Sequence, residues 1–245
     1  MTVTLIDQQQ HGYRSGHQLL GSSLRLPRED QDTVDRLSDM SGALRPGEAF
    51  SAYLTMYPLP SGTHYVIART WQDVNAPRAG CVLTRSLLIP TSLWQNLESL
   101  ASLVSLLTPI EPNEKTKALE FVQTDAVLPL VSNESTTELV EAIFLENRQP
   151  VVVFDASDSE VEPIVLRLLT ALWPSMRRSF AVCTFALAPR KTGGREFDLM
   201  FAPKSARARF SNWSGRRIDF GGSYSPRHRW SSAVTAQIFQ SKNPT

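Results

Sequence analysis

The alternation of apolar and polar residues along the chain predicts a mixture of strands and helices. Short apolar runs, and runs in which every second residue is apolar, are typical of β-strands, whereas apolar residues spaced three and four apart are typical of helices. Strands are predicted at residues 2–7, 20–26, 50–59, 64–71, 81–89, 150–155, 180–187 and 196–202. Helices are predicted at residues 30–40, 92–107, 116–123, 136–147 and 158–173. The helix at 92–107 is expected to begin with a capping box of Ser92 and Gln95.

The pattern of residues 150–187 predicts a β-α-β unit. Two continuous apolar runs, 150–155 and 180–187, flank the predicted helix at 158–173. In such a unit the two strands lie parallel and the crossover is right-handed. We therefore expect an α/β or α+β fold, in which a mixed β-sheet has flanking helices. A single domain over residues 1–245 is predicted, in which the weakly patterned residues 109–135 could mark a seam between two subregions.

Residues 11–17 interrupt this alternation with the polar stretch His-Gly-Tyr-Arg-Ser-Gly-His. The stretch holds two of the four histidines of the chain, with two glycines and no proline between them, and the apolar Leu19 and Leu20 follow at once. Glycine permits backbone conformations that other residues avoid, so such a stretch favours a tight, shaped loop anchored to the core. The loop is either a functional site or a demanding turn.

The chemistry available to this loop is limited. His11 and His17 are six residues apart, a spacing that matches no common zinc motif, and no metal site is predicted. The sequence also lacks a P-loop and a Gly-x-Ser-x-Gly motif, so no catalytic residue and no cofactor are assigned. One enzymatic alternative stays open, because histidine is suited to acid–base catalysis near neutral pH. It is a hydrolase or nuclease that uses His11, His17 and Asp39.

Composition places the chain among folded proteins, with 42% apolar and 20% charged residues among 245. The net charge of +1 predicts no overall attraction to nucleic acid or to anionic lipid. Cys81 and Cys183 lie in apolar runs, so we expect two buried free thiols, as in a protein of the reducing cytoplasm. No signal peptide is evident at the first residues, and no apolar run approaches the ~18 residues of a membrane span. A cytoplasmic location without membrane contact is therefore predicted.

Positive charge is concentrated near the carboxyl end. Residues 190–229 contain ten basic and three acidic side chains, together with several aromatic ones. Arginine and tryptophan are common at protein interfaces, and the same residue types can stack on and neutralise nucleic acid. A protein interface is predicted here, with nucleic-acid binding or a plain solvated surface as alternatives. Its candidate residues are Arg207, Arg209, Arg216, Arg217, Arg227 and Arg229.

Five short motifs occur in a fixed order. They are His-Gly-Tyr-x-x-Gly-His-x-Leu-Leu at 11–20, Leu-Ser-Asp-x-Ser-Gly at 37–42, Ala-Arg-Thr-Trp-x-Asp at 68–73, Arg-x-Gly-Cys-Val-x-Thr at 78–84 and Trp-Pro-x-x-Arg-x-x-Phe at 173–180. Together they resemble the N-terminal domain of bacterial GTPase-associated proteins. The resemblance extends over about residues 5–187, and no motif supports it beyond that point.

The resemblance implies a non-catalytic adaptor of a bacterial conflict or anti-phage defence system, which binds a partner GTPase, another NTPase or an effector. It transfers no catalytic residue and no cofactor. The motif residues that it marks for binding are His11, Tyr13, His17, Asp39, Arg69, Trp71, Arg78 and Arg85. The family pattern favours histidine where this chain has Arg85, so a site built with that histidine would be altered here or would bind an anion.

Overall fold

The computed structural model of the chain describes residues 3–45, 47–76, 80–109, 115–124, 126–145 and 149–244. Its strands are β1 (Val3–Tyr13), β2 (His17–Ser22), β3 (Tyr53–Pro58), β4 (His64–Gln72), β5 (Val82–Pro90), β6 (Leu119–Val122), β7 (Val151–Phe154), β8 (Val182–Cys183), β9 (Lys191–Thr192), β10 (Arg195–Glu196), β11 (Leu199–Ala202) and β12 (Arg216–Asp219). Its α-helices are α1 (Arg28–Leu37), α2 (Thr91–Trp94), α3 (Leu100–Val104), α4 (Ser135–Phe144), α5 (Asp158–Ala171), α6 (Pro174–Arg177) and α7 (Ser231–Phe239). A 3-10 helix spans Lys204–Phe210.

Ten strands in the described part of the chain form one mixed sheet. Its order is β12-β7-β11-β8-β3-β4-β5-β1-β2, and β6 also pairs with β1. Strands β12, β7, β11 and β8 are parallel, whereas β8 meets β3 antiparallel and the meander β3-β4-β5 and the hairpin β1-β2 are antiparallel throughout. Strands β9 and β10 form a separate hairpin. The predicted fold class, a mixed sheet with flanking helices, is confirmed.

Both faces of the sheet are buried at its parallel strand β7. Within β7, Val151 and Val153 belong to one apolar cluster, and Val152 and Phe154 belong to another on the opposite face. Side chains of α2, α3, α4, α5 and α7 pack into the first cluster, while α1 and the 3-10 helix pack into the second. A strand covered on both sides needs apolar residues at every position, which explains the unbroken Val-Val-Val-Phe run.

The predicted β-α-β unit is present as β7, α5 and β8, but β11 lies between its two strands and is parallel to both. Its second strand is much shorter than the predicted 180–187. Beyond Cys183, the N–H of Thr184 donates to Leu54 on β3, whereas that of Ala186 donates to Phe201 on β11. Because the chain bonds to two different strands in turn, the regular ladder ends at Cys183.

The prediction of one helix over residues 92–107 was wrong. The structure has the two short helices α2 and α3 instead, and Ser92 makes no capping bond because α2 begins directly after Pro90. Between the helices, the carbonyl of Leu97 accepts a hydrogen bond of 2.5 Å from the Arg177 guanidinium. This tertiary bond replaces a helical one, and the buried apolar residues of the segment keep their spacing although the helix is broken.

Several other element predictions need correction. Residues 116–123 were predicted to be helical, but β6 lies there and pairs with the first four residues of β1, because strand pairing overrides a weak local preference. The sequence pattern also missed the 3-10 helix and α7. Trp173, predicted as the last residue of the helix at 158–173, lies between α5 and α6 and is 71% exposed. Cys183 is buried as expected, whereas Cys81 is only partly buried, and both thiols are free.

The division into one domain, with a seam near residues 109–135, stays a prediction. In the described ranges, none of the helices combines the length and the apolar character needed to cross a bilayer. The cytoplasmic location also stays a prediction.

Candidate functional site

The histidine stretch is the tip of a hairpin rather than a long loop. Strand β1 continues through Tyr13, and His17 opens β2 directly opposite it. Only residues 14–16 turn, where the N–H of Arg14 donates to the Gly16 carbonyl at 3.1 Å and Gly16 has a φ of 150°. A bulge between Gln10 and His11 shifts the pairing just before the tip. The backbone of residues 11–17 therefore forms a demanding turn, which was one of the two alternatives predicted for this stretch.

The two histidines lie side by side against α1. Their ring centroids are 6.0 Å apart and the ring planes differ by 17°. His11 is fully buried, and its Nε2 lies 2.8 Å from Oδ1 of Asp35. His17 is partly buried, and its Nε2 lies 2.8 Å from the hydroxyl of Ser38. The hairpin is thus held to one face of α1 through both rings.

Helix α1 presents its polar partners as a stripe. Gln31, Asp35 and Ser38 are spaced four and three apart, which places them on one side of a helix. The amide of Gln31 donates to Asp35 at 2.6 Å and exchanges hydrogen bonds with Gln9 of β1. Sequence reasoning missed these residues. The signal that could have found them is this polar stripe beside the apolar one that includes Val34.

Asp39 does not bond to either histidine ring. Its carboxylate accepts a hydrogen bond from the N–H of Met40 at 2.7 Å, which caps the turn after α1. The carboxylate that does contact a histidine is Asp35. The structure therefore places His11, His17 and Asp39 in one neighbourhood, but without the direct histidine–Asp39 contact that the enzymatic alternative needs.

Burial and neighbouring charges shift two titrating groups here. Burial lowers the pKa of His17, and the nearby His11 lowers it further, against the opposing pull of Asp39 and Asp35. Burial raises the pKa of Asp35, but hydrogen bonds from His11 and Gln31 outweigh that effect and hold this pKa below its usual value. His17 is therefore biased towards its neutral form, and Asp35 towards its carboxylate.

The hydrogen bonds also fix the direction in which His17 donates. The Ser38 hydroxyl donates to the carbonyl of Asp35 at 2.8 Å, so it accepts a hydrogen bond from Nε2–H of His17. A serine that a histidine activates must instead give its proton to the ring, and it must reach a substrate. Ser38 is fully buried. This pair ties the hairpin to the helix and is not arranged as a nucleophile and its base.

Four of the five sequence motifs meet through one chain of hydrogen bonds. His17 donates to Ser38, whose backbone carbonyl accepts from the hydroxyl of Thr84 at 2.6 Å. The hydroxyl of Thr70 lies 2.8 Å from that of Thr84. Ser38, Thr70 and Thr84 are fully buried, so the motifs converge on a polar centre inside the fold. No group of three or more His, Cys, Asp or Glu side chains in the described ranges could hold a metal ion.

The remaining motif residues lie on the other face of the sheet. Arg85 follows Thr84 in β5 and therefore points to the opposite side from the histidines, as does its cross-strand neighbour Arg69. Arg85 donates to Thr108 at 2.8 Å, and Arg69 donates to both oxygens of Glu162 on α5 at 2.8 and 3.0 Å. A histidine in place of Arg85 would point away from His11 and His17.

The other residues marked for binding are dispersed. Trp71 packs, partly buried, against the larger apolar cluster, and Tyr13 is partly buried at the hairpin tip. Arg78 lies outside the described residues. The structure thus brings His11, His17 and Asp39 together and leaves Arg69, Trp71 and Arg85 on the far face. Which of these residues bind a ligand or partner stays a prediction.

Most of the candidate basic interface is engaged within the fold. Arg207 pairs with Asp219 and lies 4.4 Å above the ring of Phe154. Arg216 pairs with Glu138 at 2.7 Å. Backbone carbonyls accept from Arg209 at residues 43 and 187, and from Arg217 at residues 210, 211 and 213. Arg227 and Arg229 lie in an exposed segment before α7. The interface stays a prediction, although Arg207, Arg209, Arg216 and Arg217 all have partners within the fold.

Comparison with known proteins agrees with the motifs. Residues 5–107 match the family described as GTPase-associated protein 1, N-terminal domain type 1. The match runs from β1 through α3 and includes the first four motifs, while the fifth, at 173–180, lies beyond it. No curated protein matches the chain. The resemblance to the N-terminal domain of GTPase-associated proteins is therefore confirmed for residues 5–107.

Proposed function

We propose that this chain is a non-catalytic adaptor, which binds a partner GTPase, another NTPase or an effector of a bacterial anti-phage defence system. The observation that carries the proposal is the match of residues 5–107 to a domain named for its association with GTPases. An adaptor role tied to a GTPase fits that name. The defence context and the NTPase or effector partner rest on the resemblance of the five motifs.

The polar centre supports the non-catalytic part of the proposal. A catalytic histidine needs a ring nitrogen that can exchange protons with a substrate. In this chain Nε2 of His11 is bound to Asp35, and its Nδ1 is buried without a hydrogen-bond partner among the described residues. Nε2 of His17 is hydrogen-bonded to the hydroxyl of the buried Ser38. These contacts stabilise the hairpin and leave little of either ring for chemistry.

The hairpin tip is the part of the family domain that we assign to partner recognition. Arg14 and Ser15 are exposed at the tip, while the rings on either side of it are fastened to α1. A surface held by buried hydrogen bonds loses little conformational entropy when it binds, which favours specific association. A rigid tip with an exposed arginine suits a contact with an acidic patch on the partner.

Co-purification with NTPases and effectors encoded beside this chain tests the proposal. We expect the tagged chain to retain one of them, and the variant Arg14→Glu to lose it. Arg28→Glu is the matched control. It makes the same charge reversal at an arginine of α1, outside the hairpin tip, whose side chain is 96% exposed. Failure to retain any such protein contradicts the adaptor role. Equal retention by both variants contradicts only the assignment of the tip.

One observation favours the enzymatic alternative. A histidine bonded to a carboxylate, as His11 is to Asp35, is an arrangement that acid–base sites also use. The hydrolase or nuclease alternative predicts bound metal or turnover of a phosphoester or ester substrate that His17→Ala abolishes. If neither metal nor His17-dependent turnover is found, the alternative is refuted and the adaptor stands.

A further inference from the structure

A large cavity is present whose lining includes neither His11 nor His17. Its volume is about 840 Å³. Residues 95–100 between α2 and α3, residues 126–128 and residues 242–244 form its walls, together with the end of α5 and the start of α6. Sites for small molecules have volumes of about 300–1,000 Å³ and combine apolar walls with a few polar groups. This cavity has both the size and the composition of such a site.

Arg177 is the notable group in the cavity wall. It is only 6% exposed, and it donates to the carbonyls of Leu97 at 2.5 Å and Thr170 at 2.9 Å. Its Nε is buried and has no hydrogen-bond partner in the described part of the chain. Within the same part, no carboxylate forms an ion pair with it, and burial lowers its pKa. A buried cation without a counter-charge is costly, so an anion at this place would relieve that cost.

Arg167 shows what a purely structural buried arginine looks like in this fold. It too is fully buried and has no carboxylate partner in the described residues, but each of its three guanidinium nitrogens donates to a backbone carbonyl. Arg167 does not line the cavity. Arg177 differs because its Nε donor is unused and its side chain forms part of the cavity lining.

Among the described residues, the other charged side chains of the cavity wall are one lysine and one glutamate. Lys242 lines it, and Glu98, which accepts a hydrogen bond from Gln123 at 3.3 Å, lines it as well. With Arg177, the lining carries a net charge of about +1, counted from the ordinary protonation states of these side chains. The apolar part includes Leu100 and Val127, and Val127 is 66% exposed. The cavity therefore offers two cations beside an apolar wall.

We propose that this cavity binds a small organic phosphate, with Arg177 and Lys242 holding the phosphate group and the apolar wall contacting the organic part. A guanidinium recognises phosphate through paired, charge-assisted hydrogen bonds, and an ammonium group adds a second charge. Two cations suit the dianionic phosphate better than a single carboxylate. The site is separate from the hairpin tip, so it does not depend on the adaptor role.

Calorimetric titration and thermal unfolding of the full chain test the site. The probes are inorganic phosphate, ribose 5-phosphate and the 5′-monophosphates of adenosine and guanosine, with acetate and adenosine as unphosphorylated comparisons. We expect at least one organic phosphate to bind and to raise the unfolding temperature. Lys242→Gln should weaken that binding about tenfold. The matched control Lys204→Gln, which changes an exposed lysine of the 3-10 helix, should leave it unchanged.

A second pair of variants addresses the buried arginine. Arg177→Lys should abolish binding. Arg190→Lys should retain it, because this variant disturbs another buried arginine whose partners Thr55, Leu37 and Asp39 do not line the cavity. If Arg177→Lys fails to fold, the comparison of Lys242→Gln with Lys204→Gln decides alone. The proposal is overturned if no phosphate probe binds, if both lysine variants bind equally well, or if acetate or adenosine binds as tightly as the phosphates.

Discussion

Arg190 offers the sharpest test of how α1 is attached to the sheet. The side chain is 4% exposed. Its Nη2 donates to the carbonyl of Leu37 at 3.2 Å and to that of Asp39, both at the carboxyl end of α1. Its Nη1 donates to the hydroxyl of Thr55 on β3 at 3.2 Å. The substitution Arg190→Met keeps most of the volume and removes all of these bonds.

Two opposing effects set the size of the change. A hydrogen bond from a charged donor contributes about 1.5–3 kcal/mol, so the loss of two bonds to carbonyls costs about 3–6 kcal/mol. Against this, Arg190 has no carboxylate partner among the described residues, so removing the buried charge recovers part of the cost of burying it. We expect a net loss of about 2–4 kcal/mol in the free energy of unfolding, because the orphaned carbonyls stay buried. For a chain of this length each kcal/mol corresponds to about 2–4 °C, which gives a fall of roughly 10 °C in the unfolding temperature.

Denaturant unfolding and amide hydrogen exchange measure the two consequences. Exchange should accelerate most at residues 38–40, because these residues lose their tie to the sheet. Arg36→Met is the matched control: Arg36 lies exposed on the same helix and donates to the carbonyl of Lys191 at 3.0 Å, next to Arg190. The Arg36→Met variant should lose less than about 1 kcal/mol of its free energy of unfolding. The reasoning is refuted if Arg190→Met is as stable as the natural chain or loses no more than Arg36→Met.

Three further predictions concern the hairpin and the core. In Gly12→Ala the new Cβ would lie 2.7 Å from a terminal methyl carbon of Leu83, which can shift, so we expect a loss of at most about 1 kcal/mol in denaturant unfolding, and a loss above about 3 kcal/mol would contradict this reasoning. Because burial lowers the pKa of His17 below its unfolded value of about 6.5, the unfolded chain binds more protons as the pH falls through that value, and stability decreases. His17→Gln should remove this part of the pH dependence between about pH 7 and 5, and an unchanged slope in unfolding titrations would exclude it. Tyr65→Phe removes a buried hydrogen bond of 2.6 Å to the Phe180 carbonyl and should cost about 1–2 kcal/mol by calorimetry, whereas a neutral effect would mean that the carbonyl finds another donor.

The parts of the fold that the sequence predicted well are those in which local pattern and burial agree. The apolar run of β7 has no polar interruption because helices cover both faces of the sheet, and this is visible in the sequence alone. The helix α5 is likewise amphipathic and begins with acidic residues, as its place after β7 requires. Elements of this kind need no knowledge of distant partners.

The failures share one cause, which is a partner distant in sequence. The helix predicted over 92–107 is interrupted where the Leu97 carbonyl accepts a hydrogen bond from Arg177. Strand β6 forms because it pairs with the first residues of β1. In the candidate site, Asp39 was singled out for its place in a motif, yet Asp35 contacts the ring. His11 and Asp35 are 24 residues apart, and Leu97 and Arg177 are 80 residues apart. Such residues become neighbours only through tertiary packing, which no local pattern in the sequence records.

The motifs are informative about the family because of what they build. His17, Ser38, Thr70 and Thr84 come from four separate motifs and form one buried chain of hydrogen bonds. Buried polar groups must all be satisfied together, so each member restricts the choice at the others, and the set acts as a signature of the fold. Residues confined in this way cannot also vary to suit different partners. For the proposed adaptor role, we therefore look for partner choice in exposed positions on the same elements, and Arg14 at the hairpin tip is one such position. This is why the adaptor proposal is tested at the tip rather than at the histidines.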